Sequence, residues 1–371
     1  MSKFKSMEQS ERPSGSERTV LSIVLRNTSI ARSGITALTH LSQQSVHRIV
    51  DTLEERGLLK LEDPQISGRG KPSPRVKIET ERFVSIGISI GTEEARICAM
   101  DLAGQPIIQD VLDADPGEPD MVLSAFEAKT SQWLHSRLSQ THILGMGVAM
   151  QGHRIERRDV FVTPAPLAKW EKIALTDRFG DHFGLPVFAE NNATCSATAE
   201  FYLGAVAEVN CLAYLSFNYG FGAGIFSDRD AFLGGHGNAG EISSIFTLDQ
   251  AEKRPALGEL VKRLDNVTNN TSSVGDLAKN VDLSNAVVEN WLKEVGPQLC
   301  LAIRALKAVA DPNLIIFGGE APENLRAALV SLAADAFEGQ LSPNPVLRTS
   351  DIPYDPAHIG AALLPLHKLI Y

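Results

Sequence analysis

Glu190-Asn191-Asn192-Ala193 closes an apolar stretch in the middle of the chain, and Glu241 follows the run Gly237-Asn238-Ala239-Gly240. An asparagine offers a donor and an acceptor and a glutamate offers two acceptors, a set that suits neighbouring hydroxyls on a polyol. A carboxylate beside such a hydroxyl could take its proton as the oxygen attacks a phosphate, whereas a neutral amide cannot. The Asn191-Asn192 pair offers hydrogen bonds and no such base. Gly152 and His153 are further candidates for the same ligand, with a surface position equally open to the histidine. Three glycine turns, at Gly91-Thr92, at Gly220 and Gly222, and at Gly318-Gly319, each end an apolar run. Glycine at such points lets backbone amides approach a phosphate closely, and three in order carry more weight than one.

These residues need strands to carry them. Phe83 to Ile90, Ala95 to Asp101 and Gln105 to Val111 read as consecutive antiparallel strands, with Leu102-Ala103-Gly104 as a turn. A helix is expected from Met121 to Leu138, a strand from Ile143 to Met150, a strand from Leu212 to Phe217, a long helix from Asn285 to Ala310 and a strand from Leu314 to Phe317. Strands mixed with helices in this order indicate an α/β unit.

The first eighty residues have a different pattern. Val20, Leu21, Ile23 and Val24 recur at helical spacing after Ser16, a plausible N-cap. A second helix is expected from Ser33 to His40 with Ile35, Leu38 and Leu41 inward, and a third from Ser42 to about Arg56, ended by Gly57. On the third helix Val46, Ile49, Val50 and Leu53 form the apolar stripe, and Gln43, Gln44, Ser45, His47 and Arg48 lie at its start or away from that stripe. Gln and Arg on an exposed helix face can hydrogen-bond base edges in a major groove. Leu58 to Leu61 and Val76 to Ile78 read as a wing, whose tip holds Arg69 and Lys71 for phosphate or minor-groove contact. This is a winged helix-turn-helix pattern.

Charge agrees with that division. Residues 1–80 hold 13 Lys and Arg against 9 Asp and Glu, a net of +4 in a chain of net charge −10, which leaves −14 for residues 81–371. Nucleic acid is attracted to the first part and repelled by the second. At 371 residues with 43% apolar content the chain is long enough for two or three packed units. No apolar run reaches the roughly 18 to 20 residues of a membrane span, and the N-terminus reads as neither signal nor transit peptide, so a cytoplasmic location is expected. Cys98, Cys195, Cys211 and Cys300 are widely spaced, without a metal-ligand pattern, and are expected as buried reduced thiols.

Taken together the landmarks resemble the ROK family (repressors, open reading frames and kinases), specifically its winged-helix sugar repressors, over residues 17–371. They are Gly87 to Thr92, Gly145-Met146-Gly147-Val148 with Gly152, Pro166-Leu167 with Trp170, Pro186 to Asn191, Gly220 to Gly224, Gly234 to Ile242, and Pro312 to Gly319. The resemblance implies an α/β fold with an N-terminal winged helix-turn-helix and a two-lobed actin-like domain of the sugar kinase, Hsp70 and RNase H-like type. It sets expected boundaries: a disordered tail at 1–16, the DNA-binding module at 17–80, a small lobe at 81–198 plus 356–371, and a large lobe at 199–355. It also implies a sugar in the cleft between the lobes.

The departures from the family narrow the function. Asn192 stands where the kinases have the aspartate general base, a group contributing roughly 10²–10⁴-fold. Ser89 replaces the carboxylate of the first phosphate motif, and Ser244 replaces a histidine that contacts sugar and, in some members, zinc. Residues 245–265 contain neither Cys nor His, so no structural zinc is expected, and no cofactor. The expected function is a DNA-binding transcriptional repressor of carbohydrate uptake or catabolism, a homodimer or homotetramer on an inverted-repeat operator, controlled by a carbohydrate effector at Asn191, Asn192, Glu241, Gly152, His153 and Ser244. The alternative is an ATP-dependent sugar kinase with an appended DNA-binding domain.

Overall fold

A cap sets the start of the first helix. Ser14 and Glu17 form a capping box, with the Ser14 amide donating to Glu17 Oε2 at 2.6 Å, so α1 runs Gly15–Asn27 and the cap lies two residues before the expected Ser16. The fold is taken from a computed structural model that describes residues 7, 12–62, 74–204, 209–268, 273–279, 281–339 and 343–371. Arg69 and Lys71 of the expected wing tip lie outside the described residues.

The N-terminal module contains β1 (Ile30–Ala31), α2 (Arg32–Ala37), α3 (Gln43–Glu55), β2 (Leu59–Glu62) and β3 (Arg75–Ile78). The sheet has order β1-β3-β2, so a third strand, not anticipated from sequence, joins the wing. Helix α2 stops at Ala37, short of the expected His40, and Leu38 is 59% exposed instead of inward. Helix α3 ends in a Schellman arrangement: Gly57, with φ +68°, donates to Glu54 O and Leu58 donates to Leu53 O at 2.9 Å.

Two five-stranded sheets follow, with matching topology. The first joins β4 (Phe83–Ile90), β5 (Ala95–Asp101), β6 (Pro106–Val111), β7 (His142–Met150) and β10 (Val187–Asn191) in order β10-β7-β4-β5-β6. The second joins β11 (Cys211–Phe217), β12 (Phe221–Ser227), β13 (Asp230–Ala231), β14 (Leu314–Gly319) and β15 (Val346–Thr349) in order β13-β12-β11-β14-β15. In each, the first strand pairs antiparallel with the second and parallel with the fourth, and the hairpin strands lie on one side of it. A short ribbon of β8 (His153–Arg154) and β9 (Phe161–Val162) leaves the first sheet beside the cleft.

Helices cover the sheets: α4 (Pro119–Leu134), α5 (Leu175–Phe183), α6 (Asn192–Leu203), α7 (Leu248–Ala251), α8 (Leu257–Thr268), α9 (Val274–Lys279), α10 (Ala286–Ala310), α11 (Glu323–Leu332) and α12 (Ala357–Leu369). Helix α4 starts and stops earlier than the expected 121–138. Helix α12 lies against β4 and β7, and α6 packs on α12 on one side and on β11 and β12 on the other. The approach is close enough that a Cβ at Gly147 would overlap the Ala361 carbonyl, and one at Gly360 the Cys195 carbonyl. Gly87 has a Cβ position blocked by the backbone of the same helix. Gly87 and Gly147 therefore serve helix–sheet packing from inside strands, away from any phosphate turn.

At its C-terminal end α12 meets α1. Arg18 donates through Nη1 to Tyr371 O and through Nη2 to Lys368 O, both at 3.1 Å, satisfying carbonyls that a helix end leaves open. One apolar cluster runs through this junction, from Val20, Leu21 and Val24 of α1 to Leu363 and Leu366 of α12.

Candidate functional site

The first candidate surface is the exposed side of α3. Ser42 caps the helix, its hydroxyl accepting from Ser45 N at 3.1 Å, while Val46, Ile49, Val50 and Leu53 are buried. Gln43, Gln44, His47 and Arg48 are exposed and Ser45 is half-buried. Arg32 of α2 donates to His47 Nδ1 at 2.9 Å and pairs with Asp51 at 2.6 Å, so these two side chains are held from within the module. Arg48 makes no hydrogen bond or ion pair with a described residue. The helix thus presents Gln43, Gln44 and Arg48 to solvent on a face that its own packing does not use.

The second candidate is the cleft between the sheets. A cavity of about 250 Å³ is lined by Gly152, His153, Asn191, Asn192, Gly222 and Glu241, among others. That is slightly below the roughly 300–1,000 Å³ of drug-sized ligand pockets and suits a small ligand. Asn191 sits where β10 ends and α6 begins, and it caps α6: its Oδ1 accepts from Ala193 N at 2.8 Å. Its Nδ2 donates to Gly152 O at 2.6 Å and to Glu241 Oε1 at 3.2 Å, joining the loop after β7 to the loop that carries Glu241. Burial pushes the Glu241 carboxyl up to about 7, against the pull of the Arg154 guanidinium.

Asn192 faces the other way. Its Nδ2 donates to Asp355 Oδ2 at 2.9 Å, and the same carboxylate accepts from Asn218 Nδ2 at 2.8 Å and from the Ser196 hydroxyl. Burial raises the Asp355 pKa, and these three donors oppose it. An amide at position 192 is therefore the neutral donor that a buried carboxylate requires.

Beyond Asn192 and Gln151, which line both spaces, lies a second cavity of about 320 Å³ that includes Ser89, Gly91, Glu94, Glu320 and Asp355. The Glu320 carboxyl is pushed up to about 8 by burial and by the negative charge of Asp355, Glu93 and Glu94. Among the described residues its Oε2 has no partner, nor does the buried Thr92 hydroxyl. At Gly319, in a left-handed conformation with φ +86°, the amide donates to Tyr214 Oη at 2.6 Å; the next amide, of Glu320, donates to Asn218 Oδ1 at 2.7 Å. The backbone donors of the Gly318-Gly319 turn are thus already engaged. Gly220 and Gly222 keep open space before them on the first cavity. The Gly318-Gly319 turn thus has no free amide to offer a phosphate, and Glu94, Glu320 and Asp355 share the second cavity with Arg96.

The cavity gathers Gly152, His153, Asn191, Asn192 and Glu241. Ser244 lies off its wall, exposed, with its hydroxyl donating to Glu241 O at 2.7 Å. His236 is also exposed. Sequence reasoning missed Arg154, Gln151, Asn218, Glu320 and Asp355. Arg154 is buried in an ion pair with Glu190, and its backbone exchanges two hydrogen bonds with Asn238, both at 2.9 Å, stitching β8 to the loop before Glu241. Burial raises Glu190 while Arg154 opposes it. Gln151 and Arg154 flank the Gly152-His153 pair and were within reach of a sequence reading; Asp355 meets its partners only through the fold. Among the described residues no group of three or more His, Cys, Asp or Glu could hold a metal.

The ROK family profile matches residues 85–368, most of the chain. The chain belongs to the ROK family. A MarR family profile matches residues 14–70 of this ROK protein, over the winged module. The xylose repressor of Caldicellulosiruptor bescii is 26% identical over 331 residues, covering 81% of this chain and 82% of the repressor. A crystal structure of a ROK family transcriptional regulator, a homolog of the E. coli MLC protein, superposes with a TM-score of 0.74 at 19% identity, covering 95% of this chain and 96% of that one. A ROK hexokinase from Thermus thermophilus superposes with a TM-score of 0.60 at 20% identity, covering 76% of this chain and 97% of the enzyme. The fold is an N-terminal winged helix followed by the actin-like sugar kinase fold, and no helix among the described residues is long and apolar enough to cross a membrane.

Proposed function

We propose that this chain is a DNA-binding transcriptional repressor of carbohydrate uptake or catabolism, controlled by a sugar or sugar derivative in the cleft, and that it transfers no phosphate. The observation that carries the second half is the Asn192–Asp355 hydrogen bond at 2.9 Å: the group standing where a general base is needed is an amide, already committed to a neighbour. The engaged amides at Gly319 and Glu320 support the same reading, since that turn has no free donor for a phosphate.

Glu241 and the His153 rim supply polar groups for ligand hydroxyls, and Gly220 and Gly222 leave backbone exposed to the same space. Asn191 contributes mainly as the cap that joins both sides of the cleft, and Ser244 acts through the backbone of Glu241. A bound sugar changes the spacing across Asn191 and Glu241. It shifts operator affinity only by its differential affinity for the two arrangements. The path to DNA runs along α12, from Asp355 beside the cleft to the Arg18 contacts with α1. Gln43, Gln44, Ser45, His47 and Arg48 read bases or position the helix, and Arg69 and Lys71 contact the backbone or minor groove. The protein acts in the cytoplasm as a homodimer or homotetramer on an inverted repeat, since two-fold protein symmetry matches operator symmetry.

The similarity to a xylose repressor makes pentoses the first compounds to try. Thermal-shift screening of monosaccharides, sugar phosphates and polyols tests the cleft, because a ligand at 100 times its dissociation constant adds roughly 2.7 kcal/mol. A coupled ADP-release assay over the same panel tests the absence of phosphate transfer. Stabilisation without turnover is the expected outcome, and steady turnover by the unmodified chain sinks the proposal.

A further inference from the structure

A third cavity, of about 190 Å³, lies where α1, α12 and the turn between β12 and β13 meet, and it shares no lining residue with the cleft. Its apolar wall comes from Leu25, Leu102, Leu363 and Leu366, with the rings of Tyr202 and Tyr371 beside them. An apolar cavity of about 150 Å³ holds benzene, so the space fits a six-membered ring with a small substituent.

Two guanidinium groups line the same cavity from opposite sides of the domain junction. Arg26 comes from the last turn of α1 and Arg229 from the β12–β13 turn. Neither makes a hydrogen bond or ion pair with a described residue; the Arg229 guanidinium only lies 5.9 Å from the Phe201 ring centroid. Both act electrostatically on the Tyr202 hydroxyl, which itself has no hydrogen-bond partner among the described residues. Asp101 and Asp230 lie nearby, accepting from Gln105 N at 2.9 Å and Ala231 N at 2.8 Å, and among the described residues neither forms an ion pair with Arg26 or Arg229; Lys368 adds a further positive charge near His367. Burial lowers the His367 pKa and so favours its neutral form.

The turn that carries Arg229 adds a second indication. Asp228 and Arg229 both have positive φ, at 51° and 67°, the conformation of a two-residue hairpin turn that asparagine and glycine adopt most easily. An arginine there is held in the left-handed region at a cost that glycine would avoid. It sets a cation on the lining of the cavity that Arg26 of the winged module also lines.

We propose that this cavity is a second ligand site, for a small aromatic carboxylate. The ring occupies the leucine and tyrosine wall, and the carboxylate lies between Arg26 and Arg229, close to the Tyr202 hydroxyl. Such a ligand bridges the winged module and the actin-like domain, so its binding energy is linked to the position of α1. The site is independent of what occupies the cleft.

Isothermal titration of the full chain with sodium benzoate tests this, with benzyl alcohol as the neutral probe of similar size. Benzoate should bind the parent, and Arg26→Ala and Arg229→Ala should each weaken it by about tenfold, since a hydrogen bond to a charged group contributes at that level. Benzyl alcohol should bind about tenfold more weakly than benzoate, for the same reason. Both arginines are exposed, so the variants should keep the parent melting temperature, and a matching circular dichroism melt confirms that the comparison is of folded protein. The proposal is overturned if benzoate fails to bind at about 10 mM, if binding survives both substitutions together, or if the alcohol binds equally well.

Discussion

Restoring the aspartate at position 192 should damage the protein and not revive an enzyme. In Asn192→Asp the amide nitrogen 2.9 Å from Asp355 Oδ2 becomes a carboxylate oxygen in a buried site. Two unit charges at that separation repel by roughly 6 kcal/mol at an effective dielectric constant of about 20. The pair escapes by sharing one proton, as like-charged carboxylates this close cannot both ionise. Holding that proton at pH 7, about three units above an ordinary carboxylate value, costs ~4 kcal/mol, and at pH 5 the cost falls to ~1–2 kcal/mol. The sign follows from linkage: a folded-state pKa raised above the unfolded value loses stability as pH rises toward it. Urea unfolding of parent and variant at pH 5 and pH 7.5 measures the difference, with the swap Asn192→Asp/Asp355→Asn as the rescue. The variant should lose several-fold more stability at the higher pH, the swap should recover most of it, and neither should release ADP from ATP in the presence of sugars. A variant as stable as the parent at both pH values, or one that phosphorylates a sugar, refutes the reasoning.

Other expectations follow from single contacts. With Glu241 held at about 7 by burial, the fold favours its protonated form, so stability falls as pH rises from about 5 to 8; Glu241→Gln should remove ~2–3 kcal/mol of that slope, read from unfolding midpoints across the range. Gly147→Ala places a methyl against the Ala361 carbonyl and should cost about 3 kcal/mol, the upper end of overpacking, or prevent α12 from docking, seen as insoluble expression or a lowered melting temperature. Arg18→Ala removes the donors at the end of α12 and should cost ~1–2 kcal/mol, with faster amide exchange confined to the last turn of α12 and the start of α1. Arg48→Ala should leave the melting temperature unchanged while weakening binding to a selected operator by ~1–3 kcal/mol and relaxing base preference, measured by fluorescence anisotropy on matched and mutated sites.

The sequence made the scaffold legible where local rules decide. The four-residue apolar stripe of α3, its Ser42 cap and the Gly57 stop are local signals, and they match the helix closely. The paired strands at 83–101 were legible because runs of apolar residues are bounded by turn residues. Ser14 carries the stronger local signal, since Ser-x-x-Glu at 14–17 is a capping box and Ser16 has Thr19 where that glutamate would stand. Leu38 is exposed because α2 ends at Ala37, so helical spacing no longer governs where its side chain points.

The site was legible by residue type more than by role. Asn191, Asn192 and Glu241 line the cavity, yet Asn191 spends its side chain on a helix cap and Asn192 on Asp355. That second partner lies 163 residues away in sequence, and nothing local marks it. Glycine has the same ambiguity: Gly87 and Gly147 permit a helix to touch a sheet, Gly319 supplies a left-handed turn, and the letter alone does not separate these uses.

The most direct test of the central claim is operator binding by the full chain, on a site selected from random DNA, titrated with a panel of sugars in the presence and absence of ATP. The account predicts that at least one sugar changes operator affinity by about tenfold or more, that ATP has no influence, and that Glu241→Ala abolishes the response. Operator affinity indifferent to every sugar, together with ADP release from ATP, would contradict it.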